Sequence, residues 1–258
     1  MTDLDTAHAA MEAAPDDDAQ RLRFYERLAD TEVFLLLAAE PEGDQIQPEI
    51  FDIADGRFAL IFDREERLSD FVGRPVPYAG IPGRGLAGML AGQGIGLALN
   101  LQVAPSEMLI PAEAVDWLVE TLANNPEEAE ARLTEVNAPG GLPEAVVTGL
   151  DRKLAIAAGL ARFAYLAAAV YDDGSRGHVL AFVDAVPGAE GSLAKAAGEA
   201  LTFSGIEAGT MDVLFVKATD QLAGHLAKVG LRFDLPELET PQEPSAPGMD
   251  PEKPPRLR

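Results

Sequence analysis

Gly83-Arg-Gly-Leu-Ala-Gly88 has the spacing G-x-G-x-x-G, which in a dinucleotide-binding unit lets a helix N-terminus approach a pyrophosphate. That geometry needs a buried parallel strand leading into the first glycine. Val76-Pro-Tyr-Ala-Gly-Ile-Pro82 leads in here, and its prolines remove ladder donors, so the glycines read as a loop with close helix packing. No nucleotide, flavin or other cofactor is expected. Asp63, Glu65, Glu66 and Asp70 could supply acid–base or magnesium chemistry, but Arg64 and Arg67 interleave with them at helical spacing, the pattern of a solvated face. Asp172-Asp173-Gly174 lacks the other ligands of a calcium loop and reads as a hairpin turn. His8, His178 and His225 stand far apart, with no H-E-x-x-H pattern or i,i+4 pair, so no metal site is expected from them. No serine lies in G-x-S-x-G. The absence of cysteine excludes disulfides, thiolate catalysis and cysteine-bound metal.

What remains is a recognition set rather than a catalytic one. Arg74, Tyr78, Arg84 and Asn100 lie in or beside an irregular Pro/Gly segment, the usual construction of a binding loop, and are taken as the binding residues. The plainer alternative is a surface loop with a satisfied asparagine. Tyr and Arg suit a protein partner, and a formal charge of -23 favours a basic one. The same charge disfavours nucleic acid and anionic membrane surfaces. Gly85 to Ser106 is uncharged, but its glycines, Gln93, Asn100 and Gln102 make it a helix-turn-strand passage through a core rather than a membrane span.

The elements that must position these residues alternate between strand and helix. A fold class of α/β, or mixed α+β, follows: two tandem domains, each a mixed β-sheet packed with helices. Val33 to Leu37 is apolar on both faces, which argues a strand covered on both sides. Glu49 to Ile53 and, after the Asp55-Gly56 turn, Phe58 to Phe62 complete a three-strand meander. Asp63 is placed to cap a helix over about Arg64 to Val72. The domain reading runs as a flexible arm over 1–19, an N-terminal domain over 20–136, a linker over 137–142, a C-terminal domain over 143–233, and an extended tail over 234–258. The tail holds 7 of the 19 prolines, and Glu127 to Leu133 is a candidate linker helix. Met1 to Ala14 has no Lys or Arg and no apolar core, unlike a secretory signal, so a cytoplasmic setting is expected.

Several of these stretches resemble a known family. Glu32-Val-Phe-Leu-Leu-Leu, Gly56-Arg-Phe-Ala-Leu-Ile-Phe-Asp-Arg-Glu-Glu-Arg-Leu, Gly94-Ile-Gly-Leu-Ala-Leu-Asn100 and Met108-Leu-Ile-Pro-Ala-Glu-Ala-Val are similar to marks of the SseB family. The second half, from about Pro143 to Phe233, is similar to the C-terminal domain often found behind the first. Leu101 stands where family members often carry proline. The resemblance implies no catalytic residue. It leaves a non-enzymatic adaptor or regulatory protein as the first reading, and a small-molecule binder or enzyme using an interdomain cleft as the alternative.

Overall fold

The computed structural model describes residues 1–41, 43, 46–53, 56–124, 132–206 and 211–237. Helix α1 (Asp3–Ala13) opens with a capping box, in which the Thr2 hydroxyl accepts from the Asp5 N–H and the Asp5 carboxylate accepts from the Thr2 N–H. The arm expected to be loose is therefore a capped helix. It buries Leu4, His8 and Met11, with the His8 ring edge-on to Phe24 at 5.7 Å. Phe24 belongs to α2 (Asp18–Asp30), which starts where the acidic run placed it, Asp17 accepting from the Ala19 N–H.

The first sheet contains β1 (Glu32–Leu36), β2 (Ile50–Ile53), β3 (Gly56–Phe62), β4 (Tyr78–Pro82), β5 (Ile95–Leu99) and β6 (Met108–Ile110). Its order is β4-β1-β3-β5-β6, with β2 sharing one flank of β3 with β1. β3 and β5 are parallel and the other pairs antiparallel. Ile53 pairs with Gly56 as a hairpin requires, while Asp55 of the expected turn lies outside the described residues. Both faces are covered. Val33, Leu35, Ile61 and Leu97 pack with α2, α4 (Gly83–Leu90) and α5 (Ala112–Leu122). Leu36, Leu60 and Phe62 pack with Leu68 of α3 (Glu65–Val72), a helix that ends at Gly73 in the left-handed region, φ 66°.

The second sheet contains β7 (Leu133–Asn137), β8 (Phe163–Tyr171), β9 (Arg176–Val183), β10 (Met211–Val216) and β11 (Leu231–Asp234). Its order is β10-β9-β8-β11, with β7 also on β8. β9 and β10 are parallel, joined through α7 (Glu190–Thr202). Helices α6 (Glu144–Ile156) and α7 cover one face, and Leu226 of α8 (Gln221–Val229) packs on the other. Three boundaries move. β7 puts 133–137 in the second unit rather than at the end of the first. The linker helix expected over Glu127 to Leu133 gives way to strand at Leu133, its other residues up to 131 lying outside the described ones. The tail does not begin at 234, because Leu235 is buried and the Pro236 carbonyl accepts from the Gly159 N–H at 2.8 Å.

Candidate functional site

β4 is a margin of the first sheet. The Leu37 N–H donates to the Pro77 carbonyl at 3.1 Å and the Gly83 N–H to the Thr31 carbonyl at 2.8 Å, which sets the parity of the ladder. Ala79 and Ile81 thus turn their backbone groups toward Leu35 and Val33, and Tyr78 and Gly80 turn theirs outward. The Tyr78 ring leans edge-on against Phe34 at 5.9 Å and leaves the residue 38% exposed. The neighbouring Glu65 carboxylate raises the pKa of its hydroxyl. The Glu32 carboxylate lies along Gly80, where a Cβ would stand 3.1 Å from Oε1. Arg74 is exposed in the segment leading to β4. One strand edge thus carries a tyrosine, outward-facing amides and carbonyls, and two carboxylates.

Asn100 is elsewhere and fully buried, with φ 49°. Its Oδ1 accepts from the Asp63 N–H at 3.1 Å, and its Nδ2 donates to Ser106 Oγ at 3.0 Å. Asp63 does not cap α3: Arg64 is the N-cap, with no side-chain cap bond. The Asp63 carboxylate instead accepts from Thr2 Oγ1 at 2.6 Å and Arg67 Nη1 at 2.7 Å. Arg67 also donates to both oxygens of Asp5, at 2.6 and 2.9 Å, and the Ser106 hydroxyl donates to Asp5 at 2.6 Å. Asp63 and Arg67, expected on a solvated face, are thus the centre of a buried network. Burial pulls the Asp5 carboxyl pKa up, but Arg67, Ser106 and the Thr2 N–H outweigh it and hold the pKa below the usual carboxylate range. Asp63 and Asn100 follow the carboxyl ends of the parallel strands β3 and β5, a place where open α/β sheets bind ligands. Here the Asp5 carboxylate fills it, and the arrangement latches α1 to the sheet.

Arg84 is also not a free recognition residue. β4 runs into Gly83 and α4 starts there, but a Cβ at Gly83 would stand 1.9 Å from the Leu28 carbonyl. The backbone of α2 occupies the position a pyrophosphate would need. One residue on, Arg84 bonds Asp30 of α2 and both oxygens of Glu199 of α7, each at 3.1 Å for the latter. Lys153 of α6, with 4% of its side chain exposed, sits 2.6 Å from Asp30, 2.9 Å from Glu199 and 3.7 Å from Glu26. Phe203, beyond α7, packs into the core of the first unit. The junction between the units is thus filled by ion pairs at the place where an interdomain cleft was the alternative. Burial raises the Glu199 pKa, but Arg84 and Lys153 outweigh it and the net shift is downward. Burial dominates at Glu26, whose pKa rises because Lys153 and Arg27 offset it only in part. Glu26 Oε1 and Arg27 Nε and Nη2 are buried without hydrogen-bond partners among the described residues.

A groove of about 830 Å³ lies on the second unit at the β8–β9 hairpin, floored by Ala168, Ala169 and Gly177 and edged by Tyr171, Arg176 and Asp212. The Tyr171 hydroxyl donates to Asp212, and burial together with that carboxylate raises its pKa. The turn at 172–174 is the hairpin turn expected, with Gly174 at φ 82° and the Ser175 N–H on Asp173 Oδ1 at 2.8 Å.

Residues 6–117 match the family model of the SseB protein N-terminal domain. This stretch, less than half of the chain, is similar to that domain. No curated protein and no solved structure matches the chain significantly. The SseB match takes in Asp63, Arg67, Tyr78, Arg84, Asn100 and Ser106, whereas Thr2 and Asp5 precede it.

Proposed function

We propose that this chain, with its SseB-like N-terminal domain, is a non-enzymatic protein-binding module, an adaptor or regulator, that docks a basic partner on the edge at Tyr78 and Gly80. The observation that supports the reading is the outward backbone of these two residues beside an exposed tyrosine. An extended segment added to such an edge gains main-chain hydrogen bonds, and the tyrosine adds contact area. Pro77 and Pro82 bound the ladder and keep the docking short. Glu32 and Glu65 favour Lys or Arg in the partner, and the charge of -23 speeds its approach at low salt. Arg74 stays in the recognition set, while Arg84 and Asn100 leave it for structural roles. The cytoplasmic setting and a C-terminal SseB-type unit belong to the same proposal.

Affinity capture with the full chain tests it. Gly80→Pro removes an outward N–H and adds a ring that the flexible Glu32 side chain must make room for, and Tyr78→Ala removes the exposed ring; each should lose the partner while the thermal midpoint stays within a few degrees. Capture should also weaken from low salt to 0.15 M, where the field reaches only about 8 Å. Undiminished capture by both variants would remove the support for this edge.

A further inference from the structure

The margins of the two sheets are guarded unequally. A free strand edge invites pairing with another chain, and proteins blunt it with proline, charge, brevity or a bulge. β4 lies between Pro77 and Pro82, which leave only the short stretch at Tyr78 and Gly80 open, and β6 is short and stops at Pro111. β7 carries Glu135 and a register shift, and β11 carries Arg232 and Asp234. β10, Met-Asp-Val-Leu-Phe-Val, is a terminal strand of its sheet with no proline, no bulge and no brevity to guard it. Its one charged residue, Asp212, is engaged by the Tyr171 hydroxyl.

The free side of β10 is defined by its bonded side. The Asp184 N–H donates to the Val216 carbonyl at 3.0 Å, so Val216, and by alternation Leu214 and Asp212, face β9. Met211, Val213 and Phe215 therefore turn their N–H and C=O groups away from the sheet. Their side chains share the α7 face, where Phe215 stacks on Phe182 at 5.7 Å yet remains 38% exposed.

We propose that β10 is the seam of a two-fold dimer, pairing antiparallel with β10 of a second copy so that the two sheets become one. Centred on Val213, the pairing sets Val213 against Val213 of the second copy and Met211 against Phe215. Every outward N–H and C=O of the three residues finds a partner, and Phe215 gains an apolar neighbour across the seam. Asp212 comes to lie across from Leu214 and keeps its bond to Tyr171. Charge selects the second copy as occupant. A chain of formal charge -23 repels itself over most surfaces, and β10 is an edge where each copy brings a single charge, Asp212, set across from Leu214 and not from another carboxylate. The apolar residues that turn outward along it, Met211, Val213 and Phe215, complement their own copies and give a charged partner little to bind.

The chain has no cysteine, so a single Val213→Cys change gives a clean probe. Residues opposed in a hydrogen-bonded antiparallel pair have Cα atoms about 5.5 Å apart, within disulfide range. Mild oxidation should convert the Val213→Cys chain to a covalent dimer, while Ile156→Cys, at a residue 61% exposed, should not cross-link. Sedimentation of the unmodified chain over a micromolar series should show a dimer, and Phe215→Lys should raise its dissociation constant by at least about tenfold. Phe215 bonds nothing in β9 through its backbone, so circular dichroism should confirm that the variant stays folded. A monomer throughout the series, or a dimer that survives Phe215→Lys and gives no Val213→Cys cross-link, would overturn the proposal.

Discussion

Asn100 holds a left-handed backbone in the core because its amide pays back both of its neighbours, the Asp63 N–H and the Ser106 hydroxyl. Asn100→Ala leaves the Asp63 N–H buried and unpaired and takes a donor from the Ser106 oxygen, and we expect a loss of about 2–3 kcal/mol in urea unfolding. Asp5 gives a pH signature. Its folded pKa lies below the unfolded value, so its contribution is present above about pH 4 and is lost as pH falls toward the folded value. Asp5→Asn should lower stability at neutral pH and flatten the fall below about pH 4, read from thermal midpoints across pH. An unchanged acid limb would show that the latch does not set it. The sequence shows Asn100 and Ser106 as polar residues inside an uncharged stretch, which is signal enough to single out Asn100. Its partner Asp63, and the Asp5 that Ser106 bonds, lie far off in the chain, so local reading made a surface residue of a buried one.

Gly83 and Gly85 separate the two meanings of one glycine motif. At Gly83 a methyl group would strike the Leu28 carbonyl and force α4 from α2, and Gly83→Ala should cost about 2–3 kcal/mol. At Gly85 the nearest atom is Ile81 Cγ2 at 3.7 Å, an ordinary contact, and Gly85→Ala should stabilise the helix by about 0.5–1 kcal/mol. Equal effects in chemical denaturation would refute this packing account. Elements were legible where apolar period and breakers coincide, as in β1, α3 up to Gly73, and the β8–β9 hairpin. β7 was not, because Thr134 and Glu135 make it polar and its strand character comes from pairing with β8. α1 was not, because its buried Leu4 and Met11 are diluted by alanines and acids.

The two-unit architecture follows from the alternation of strands and helices, but the junction could not be read, since Glu26, Asp30, Arg84, Lys153 and Glu199 come from four separate helices. Lys153→Met strips the buried carboxylates of their shared cation and should weaken the junction by about 3–5 kcal/mol, seen as a split of thermal unfolding into separate transitions. The two glutamates should differ in sign. Glu26, with its folded pKa raised, contributes stability below its unfolded pKa that is lost as pH rises, so Glu26→Gln should hold or raise the midpoint at neutral pH and above. Glu199, with its pKa lowered, contributes stability above its unfolded pKa that is lost as pH falls, so Glu199→Gln should lower the neutral midpoint. Matching responses would contradict the assignment of the two environments.

The most direct test of the function lies at Tyr78. A photoreactive phenylalanine analogue placed there and irradiated in the expressing cells should give a discrete adduct with another polypeptide, lost with Gly80→Pro and absent when the analogue replaces Ile156. No adduct at position 78, or one that persists with Gly80→Pro, would contradict docking on this edge.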